Sequence, residues 1–172
     1  MNNGMDNGME VIVEPAGGHD SSTVARLMEL YLYDFSELGG PAISANGQYG
    51  YPYLEAYWHE AGRYPFLIRV DGRLAGFALA VERGLLVPGE VGREMTEFFV
   101  LRFYRRQGVG REAARQVFAR FPGPWWIGEL ETNAPAITFW RSIIANLTEQ
   151  KYEEWHLIRD GREAIEQHFM HP

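Results

Sequence analysis

Two apolar runs, Pro65 to Val70 and Arg73 to Val81, meet at the dipeptide Asp71-Gly72, and this pattern constrains the fold more than any other in the chain. Asp-Gly supplies the positive φ angles of a tight type I′ turn, so the spacing predicts an antiparallel hairpin. Upstream, Glu10 to Pro15 alternates as a first strand. Asp20, Ser21 and Ser22 then offer N-caps to a helix carrying Val24, Leu27, Met28, Tyr31, Leu32 and Phe35 at helical spacing, which should stop near Gly39-Gly40-Pro41. Residues 41–51 read as a loop and Tyr53 to Ala61 as a short helix. After a Gly/Pro-containing break at 84–92, Met95 to Leu101 reads as a strand and Val109 to Phe121 as a helix, with Val109, Ala113, Val117, Phe118 and Phe121 inward. Trp125 to Leu130 follows as a strand, Pro135 to Ala145 as a helix with proline in its first turn, 148–159 as at least one strand, and 162–169 as a closing helix.

This order predicts an α/β domain of α+β-like layout: a mixed central sheet with an antiparallel N-terminal half and a βαβ unit behind it. A chain of 172 residues, 46% apolar, suits one well-cored domain, assigned to 10–172, with the aperiodic residues 1–9 as a disordered leader. A net charge of -7 argues against a general nucleic-acid or anionic-membrane surface. The absence of cysteine excludes disulfides, thiol nucleophiles and thiolate metal sites, and the five histidines have no metal-binding spacing. With neither a spanning apolar run nor a signal-like start, the expected location is the cytoplasm.

Against that acidic background, residues 102–120 hold six of the sixteen basic residues (Arg102, Arg105, Arg106, Arg111, Arg115, Arg120) and one acid, Glu112. Helix N-termini carry partial positive charge and unpaired N–H groups, so arginines gathered at one repel it unless an anion sits among them. Gly108 and Gly110 let backbone N–H groups approach such an anion, which points to a phosphate or pyrophosphate site. Gly108-Val109-Gly110-Arg111-Glu112-Ala113 also satisfies the G-x-G-x-x-A dinucleotide pattern, with Glu131 about twenty residues on. Against that reading, Leu101 to Gln107 separates the glycines from their strand, and an antiparallel hairpin precedes them. A P-loop is excluded because Lys-Ser/Thr does not follow the glycines.

Arg105-Arg106-Gln107-Gly108-Val109-Gly110 resembles the signature of the GNAT superfamily of acyl-CoA-dependent N-acyltransferases. The preceding Phe98-Phe99-Val100, the turn Arg102-Phe103-Tyr104-Arg105, and Asn133 followed by Ala136-Ile137 and Phe139-Trp140 stand in the family's further motif positions. The resemblance implies an acetyl-CoA-dependent N-acetyltransferase of GNAT fold, transferring directly to a primary amine, with acetyl-CoA as cosubstrate and no metal. It implies that N–H groups from Gln107 through Gly108, Val109 and Gly110 to Arg111 hold the pyrophosphate, with Arg105, Arg106 and Arg111 meeting its charge. Val100 and Phe99 would pair with the pantetheine arm, the Val100 N–H would polarise the thioester carbonyl, and Asn133, Ala136, Phe139 and Trp140 would line the arm's path. Trp140 stands where many relatives have a tyrosine that protonates the leaving thiolate, which indole cannot do.

An alkyl amine with a pKa near ~10.4 is neutral in only roughly one molecule in a few thousand at pH 7, so a base is useful. Glu97, beside Phe98-Phe99-Val100, is the candidate, and Glu94 the reserve should a bulge alter strand parity. The acceptor side is expected in the aromatic segment 31–58, where Asp34 and Glu37, with Tyr33 beside them, could hold a cationic amine. The expected partner is thus a small-molecule or peptide amine, with no nucleic acid and no membrane, and with a homodimer left open. Two other classes stay open: a CoA-binding protein without transferase activity, and a dinucleotide-binding oxidoreductase.

Overall fold

The computed structural model describes residues 8–84 and 91–172. Seven strands form one sheet in the order β1-β2-β3-β4-β5-β7-β6. Strands β1 (Val11–Pro15), β2 (Arg63–Val70), β3 (Arg73–Gly84) and β4 (Val91–Val100) are antiparallel neighbours. β5 (Gly123–Leu130) lies parallel to β4, and β7 (Arg162–His171) runs antiparallel between β5 and the edge strand β6 (Tyr152–Arg159). Helices α1 (Ser21–Ser36) and α2 (Ala56–His59) lie between β1 and β2 in the chain, and α3 (Val109–Phe118) and α4 (Ala134–Thr148) flank β5. This is the mixed α/β architecture expected, with an antiparallel front half and a β4-α3-β5 unit.

The period-2 alternation of the central strands divides two apolar layers. Leu67, Phe77, Leu79 and Phe99 pack with Val24, Leu27, Met28 and Leu32 of α1. Phe66, Ala78, Ala80, Trp125 and Ile127 face the other way, against Ala113, Val117 and Phe118 of α3 and Trp140 and Ile144 of α4. α3 also completes the edge strand: Gln116 Nε2 donates to the Val11 carbonyl at 2.8 Å, and the Val13 N–H donates to Gln116 Oε1 at 2.9 Å.

The hairpin forms as expected. Asp71 and Gly72 have φ of 49° and 74°, and Val70 pairs with Arg73. Several elements differ from expectation. Residues 162–169 are not a closing helix but most of β7, which is paired on both sides. Its sequence is rich in helix formers, but Asp160 and Gly161, at φ 51° and 76°, make a second Asp-Gly turn that returns the chain along β6. The helix expected over 53–61 shrinks to α2, and α3 ends three residues before Phe121. Of the break at 84–92, residues 85–90 lie outside the described residues, as do residues 1–7 of the leader.

Two irregularities in β4 shape the cleft beside it. Leu79 pairs with Glu97 but Ala80 pairs with Met95, so Thr96 is an extra residue, a β-bulge. Pairing with β5 is confined to Arg93, Glu94 and Met95 against Trp125, Trp126 and Ile127. Beyond that point β4 stays with β3 and β5 stays with β7, so the two parallel strands part.

Candidate active site and cofactor cleft

The parting of β4 and β5 leaves backbone groups free along one strand edge. The Leu101 N–H donates to the Ala75 carbonyl at 2.8 Å, and a β-carbon added at Gly76 would collide with the Phe99 carbonyl, so residues 99 and 101 are directed at β3. Strand alternation then turns the N–H and C=O groups of Phe98 and Val100 toward the gap. The Val100 carbonyl there accepts from Arg105 Nε at 2.7 Å, while the Val100 N–H has no partner among the described residues. Phe99 and Val100 are both buried.

Past β4 the chain makes a one-turn 3-10 helix, Arg102–Tyr104, then reverses with Arg106 at φ 60° and Gly108 at φ 85° to start α3. The N–H groups of Arg106, Gln107, Gly108, Val109, Gly110 and Arg111 donate to no acceptor among the described residues. They form the unpaired row that a helix start presents to an anion. The Arg106 and Arg111 side chains are exposed and make no ion pair among the described residues. Arg105 differs from expectation, because its guanidinium is committed to the Val100 carbonyl and to Asp34 Oδ2 at 2.5 Å. Gly110 has a steric role: a β-carbon there would stand 3.1 Å from the Phe139 ring. Phe139 stacks on Phe98 at 5.8 Å between centroids, beside the gap. Ala136 is partly buried, and Asn133 caps α4 by accepting from the Ala136 N–H at 3.3 Å. Trp140 is 5% exposed and packs against Phe98, Phe118 and Phe139, so it is a core residue bordering the gap.

On the opposite face of β4, partly buried Glu97 accepts at Oε1 from the Tyr51 hydroxyl at 2.8 Å, with Tyr31 beside the carboxyl. Burial raises the Glu97 carboxyl above its ordinary range; the two tyrosines oppose this and the Glu94 charge adds to it. Tyr51 is placed by a loop anchored on α1, since the Tyr49 and Gly50 N–H groups donate to the two Glu29 carboxylate oxygens at 2.8 and 2.9 Å. Burial, then the neighbouring Glu97, holds both tyrosine hydroxyls firmly protonated. The reserve candidate Glu94 is instead ion-paired with Arg159 at 3.2 Å and Arg83 at 3.5 Å.

The expected acceptor group does not converge. Asp34 accepts from Arg102 at 2.7 and 3.0 Å as well as from Arg105. Burial works to raise its carboxyl, but hydrogen bonds and charge from the two guanidiniums outweigh this and hold it below the usual carboxylate range. Glu37 is exposed, 3.8 Å from Arg102, and Tyr33 is 62% exposed. Asp34 therefore clasps the arginine turn to α1 and is not a free anion for an amine. The residues facing Glu97 are Tyr31 and Tyr51, which the sequence offered only as members of an aromatic segment. Among the described residues no cluster of histidines and carboxylates could hold a metal, and no helix is long and apolar enough to cross a membrane.

A sequence profile of the GNAT acetyltransferase family matches residues 25–143, which contain the arginine turn, the gap and Glu97. The chain belongs to the GNAT acetyltransferase family. The G-x-G-x-x-A match is thus part of the GNAT turn, and the antiparallel placement of β7 against β5 removes the dinucleotide-binding reading. Among solved structures, an acetyltransferase from Thermus thermophilus is similar to this GNAT protein with a TM-score of 0.67 and 14% identity, covering 95% of this chain and 98% of that one. The ribosomal-protein-S18-alanine N-acetyltransferase from Escherichia coli matches with a TM-score of 0.58 and 17% identity over 94% of both chains. An aminoglycoside acetyltransferase from an uncultured soil metagenomic sample matches with a TM-score of 0.58 and 15% identity, covering 90% of this chain and 99% of that one. At these identities they show the shared fold. No curated protein matches the chain.

Proposed function

We propose that this GNAT protein is an acetyl-CoA-dependent N-acetyltransferase that acts by direct attack of a primary amine, with no covalent enzyme intermediate and no metal. The observation that carries this reading is the juxtaposition on β4 of an unpaired Val100 N–H at the gap with the Glu97 carboxyl on the opposite face. The residues fit acetyl-CoA: the six N–H groups from Arg106 to Arg111 and the two guanidiniums, none of them partnered among the described residues, suit its pyrophosphate, and the apolar wall of Phe98, Ala136, Phe139 and Trp140 suits its arm. When bound, acetyl-CoA supplies an acyl group as a thioester.

The Val100 N–H then donates to the thioester carbonyl oxygen, an interaction whose loss typically costs about 10²- to 10³-fold. Glu97 takes the proton that the amine sheds as its nitrogen bonds to the carbonyl carbon and the C–S bond breaks. A carboxyl raised by burial is a better base than an ordinary one. The sulfur leaves as thiolate, which a thiol pKa near ~8.5 permits without the hydroxyl that Trp140 lacks. Asn133, whose Oδ1 caps α4, keeps its amide N–H groups for the arm. A primary amine on a small molecule or a peptide is the acceptor class, and the cytoplasm the location.

Thiol release from acetyl-CoA, measured against panels of amines, polyamines, amino acids and N-terminal peptides, tests the activity. Acceptor-dependent release abolished in Glu97→Gln supports the reading; tight acetyl-CoA binding with release at the hydrolysis background for every acceptor would favour a CoA-binding protein without transferase activity. The burial of Trp140 where a hydroxyl is common is the observation that keeps this second reading in view.

A further inference from the structure

Glu129 is 7% exposed, and neither of its carboxylate oxygens has a hydrogen-bond partner among the described residues. The similarly buried Glu166 behaves differently, bonding Arg83 at 3.0 Å, Arg159 at 2.6 Å and His168 at 2.6 Å. A buried polar group without a partner is costly, so Glu129 needs an explanation that the fold alone does not supply.

Its place suggests one. Glu129 lies on β5 two residues past Ile127, the last residue of that strand to pair with β4. By strand alternation it shares the face of Trp125 and Ile127, which is the face of α3, α4, Phe98 and Phe139. The charged groups around it are Arg141 from α4 and Glu154 and Arg159 from β6. Arg141 and Glu154 are paired with each other at 2.6 Å, and Arg159 is paired with Glu94 and Glu166. His156, also on β6, is paired with Glu131. On this face β4 brings Met95 and Phe98, and β7 brings Ile165 and Gln167, none of them charged. Burial, reinforced by Glu154 and opposed by Arg141 and Arg159, pushes the carboxyl up to about 8. In its neutral form a carboxyl offers one O–H donor and one carbonyl acceptor, the complement of an amide's C=O and N–H.

We propose that Glu129 is a ligand-binding residue whose carboxyl pairs with an amide of the pantetheine arm where β5 parts from β4. The proposal rests on the reading that this gap takes acetyl-CoA. The free edge of Phe98 and Val100 would hold one side of the arm, and Glu129 the other.

Calorimetry with acetyl-CoA and with 3′-phospho-ADP, the nucleotide half without the arm, tests this on wild type, Glu129→Gln and Glu129→Leu. Glutamine keeps a donor and an acceptor, so Glu129→Gln should bind acetyl-CoA at pH 6.5 about as wild type does, whereas Glu129→Leu should bind it about tenfold more weakly. All three should bind 3′-phospho-ADP alike. Between pH 7 and 9 the wild-type affinity for acetyl-CoA should fall, while that of Glu129→Gln stays flat. Wild-type acetyl-CoA affinity retained in Glu129→Leu, with only the melting temperature changed, would overturn the proposal and leave the carboxyl a partner within the fold, such as the equally unpartnered Gln167 Oε1. A pH-independent wild-type affinity would overturn it as well. If wild type bound 3′-phospho-ADP and acetyl-CoA no better than NAD, the acetyl-CoA reading itself would fall, and this proposal with it.

Discussion

The Tyr51 hydroxyl donates to Glu97 across 2.8 Å, joining the loop after α1 to the centre of the sheet. It stabilises the ionised carboxylate and so works against the burial that raises the Glu97 carboxyl. Glu97→Gln is expected to lower kcat/KM by about 10²- to 10⁴-fold, the usual range for a general base. Because the base acts ionised, the wild-type pH–rate profile should lose activity on the acid side at a pH above the ordinary carboxylate range. Tyr51→Phe removes a stabiliser of the charged form, so it should move that acid limb to still higher pH. A limb left in place by Tyr51→Phe would mean that Glu97 is not the titrating base.

Arg106 and Arg111 are exposed beside six N–H groups that have no partner among the described residues, so they can meet a phosphate without giving up a bond to those residues. Replacing both by alanine should weaken acetyl-CoA binding about tenfold at low salt and less at high salt, where exposed charges are screened. The thermal midpoint should be unchanged. Calorimetry at two ionic strengths, with a melting curve beside it, checks both halves.

Asp34 grips Arg102 and Arg105, and Arg105 in turn holds the Val100 carbonyl. Asp34→Asn should therefore raise the KM for acetyl-CoA more than it lowers kcat, since it loosens the turn and leaves Glu97 in place. The Asp34 carboxyl is held below its usual value, so its pairing contributes stability above pH 3.8 that is lost as pH falls through the lower folded-state value. Acid unfolding of Asp34→Asn should accordingly be less steep below pH 3.8 than that of wild type.

The raised carboxyl of Glu129 has the opposite sign. Unfolded it ionises near 4.5, and folded only near 8, so between those values the unfolded chain has released a proton that the folded chain keeps. Stability should fall as pH rises through this window, by about 1.4 kcal/mol per unit for this one group. Urea unfolding at pH 5, 6 and 7 should show the slope in wild type and its loss in Glu129→Leu.

What could be read from the sequence was what is local in it. The pyrophosphate-like turn spans Arg105 to Arg111, and the Asp71-Gly72 hairpin closes within its own neighbours, so composition and spacing carry both. The Asp160-Gly161 turn was equally legible, but the helix formers after it outweighed the signal until pairing with β5 and β6 fixed the segment as a strand. The pairs that define the two sides of the site were not legible at all. Tyr51 and Glu97 are 46 residues apart, and Asp34 is 68 and 71 from its two arginines, so only the sheet order brings them together. Asp34 and Glu37 looked available to an amine because a sequence shows charges without their partners.

A strand can present a given residue to only one side, and every second residue to the same side. Met95 faces α3 and α4, and simple alternation would send Glu97 there too, into an apolar layer and away from Tyr31 and Tyr51. Thr96 breaks the count by one. Every residue after it changes sides, so Glu97 and Phe99 face α1 while Phe98 and Val100 line the gap. One supernumerary residue thus sorts a carboxyl and an aromatic wall into separate compartments a single backbone thickness apart. Flattening the bulge, with Thr96 kept as an ordinary member of the ladder, would leave every residue present in the chain and reverse the compartment of each residue that follows it.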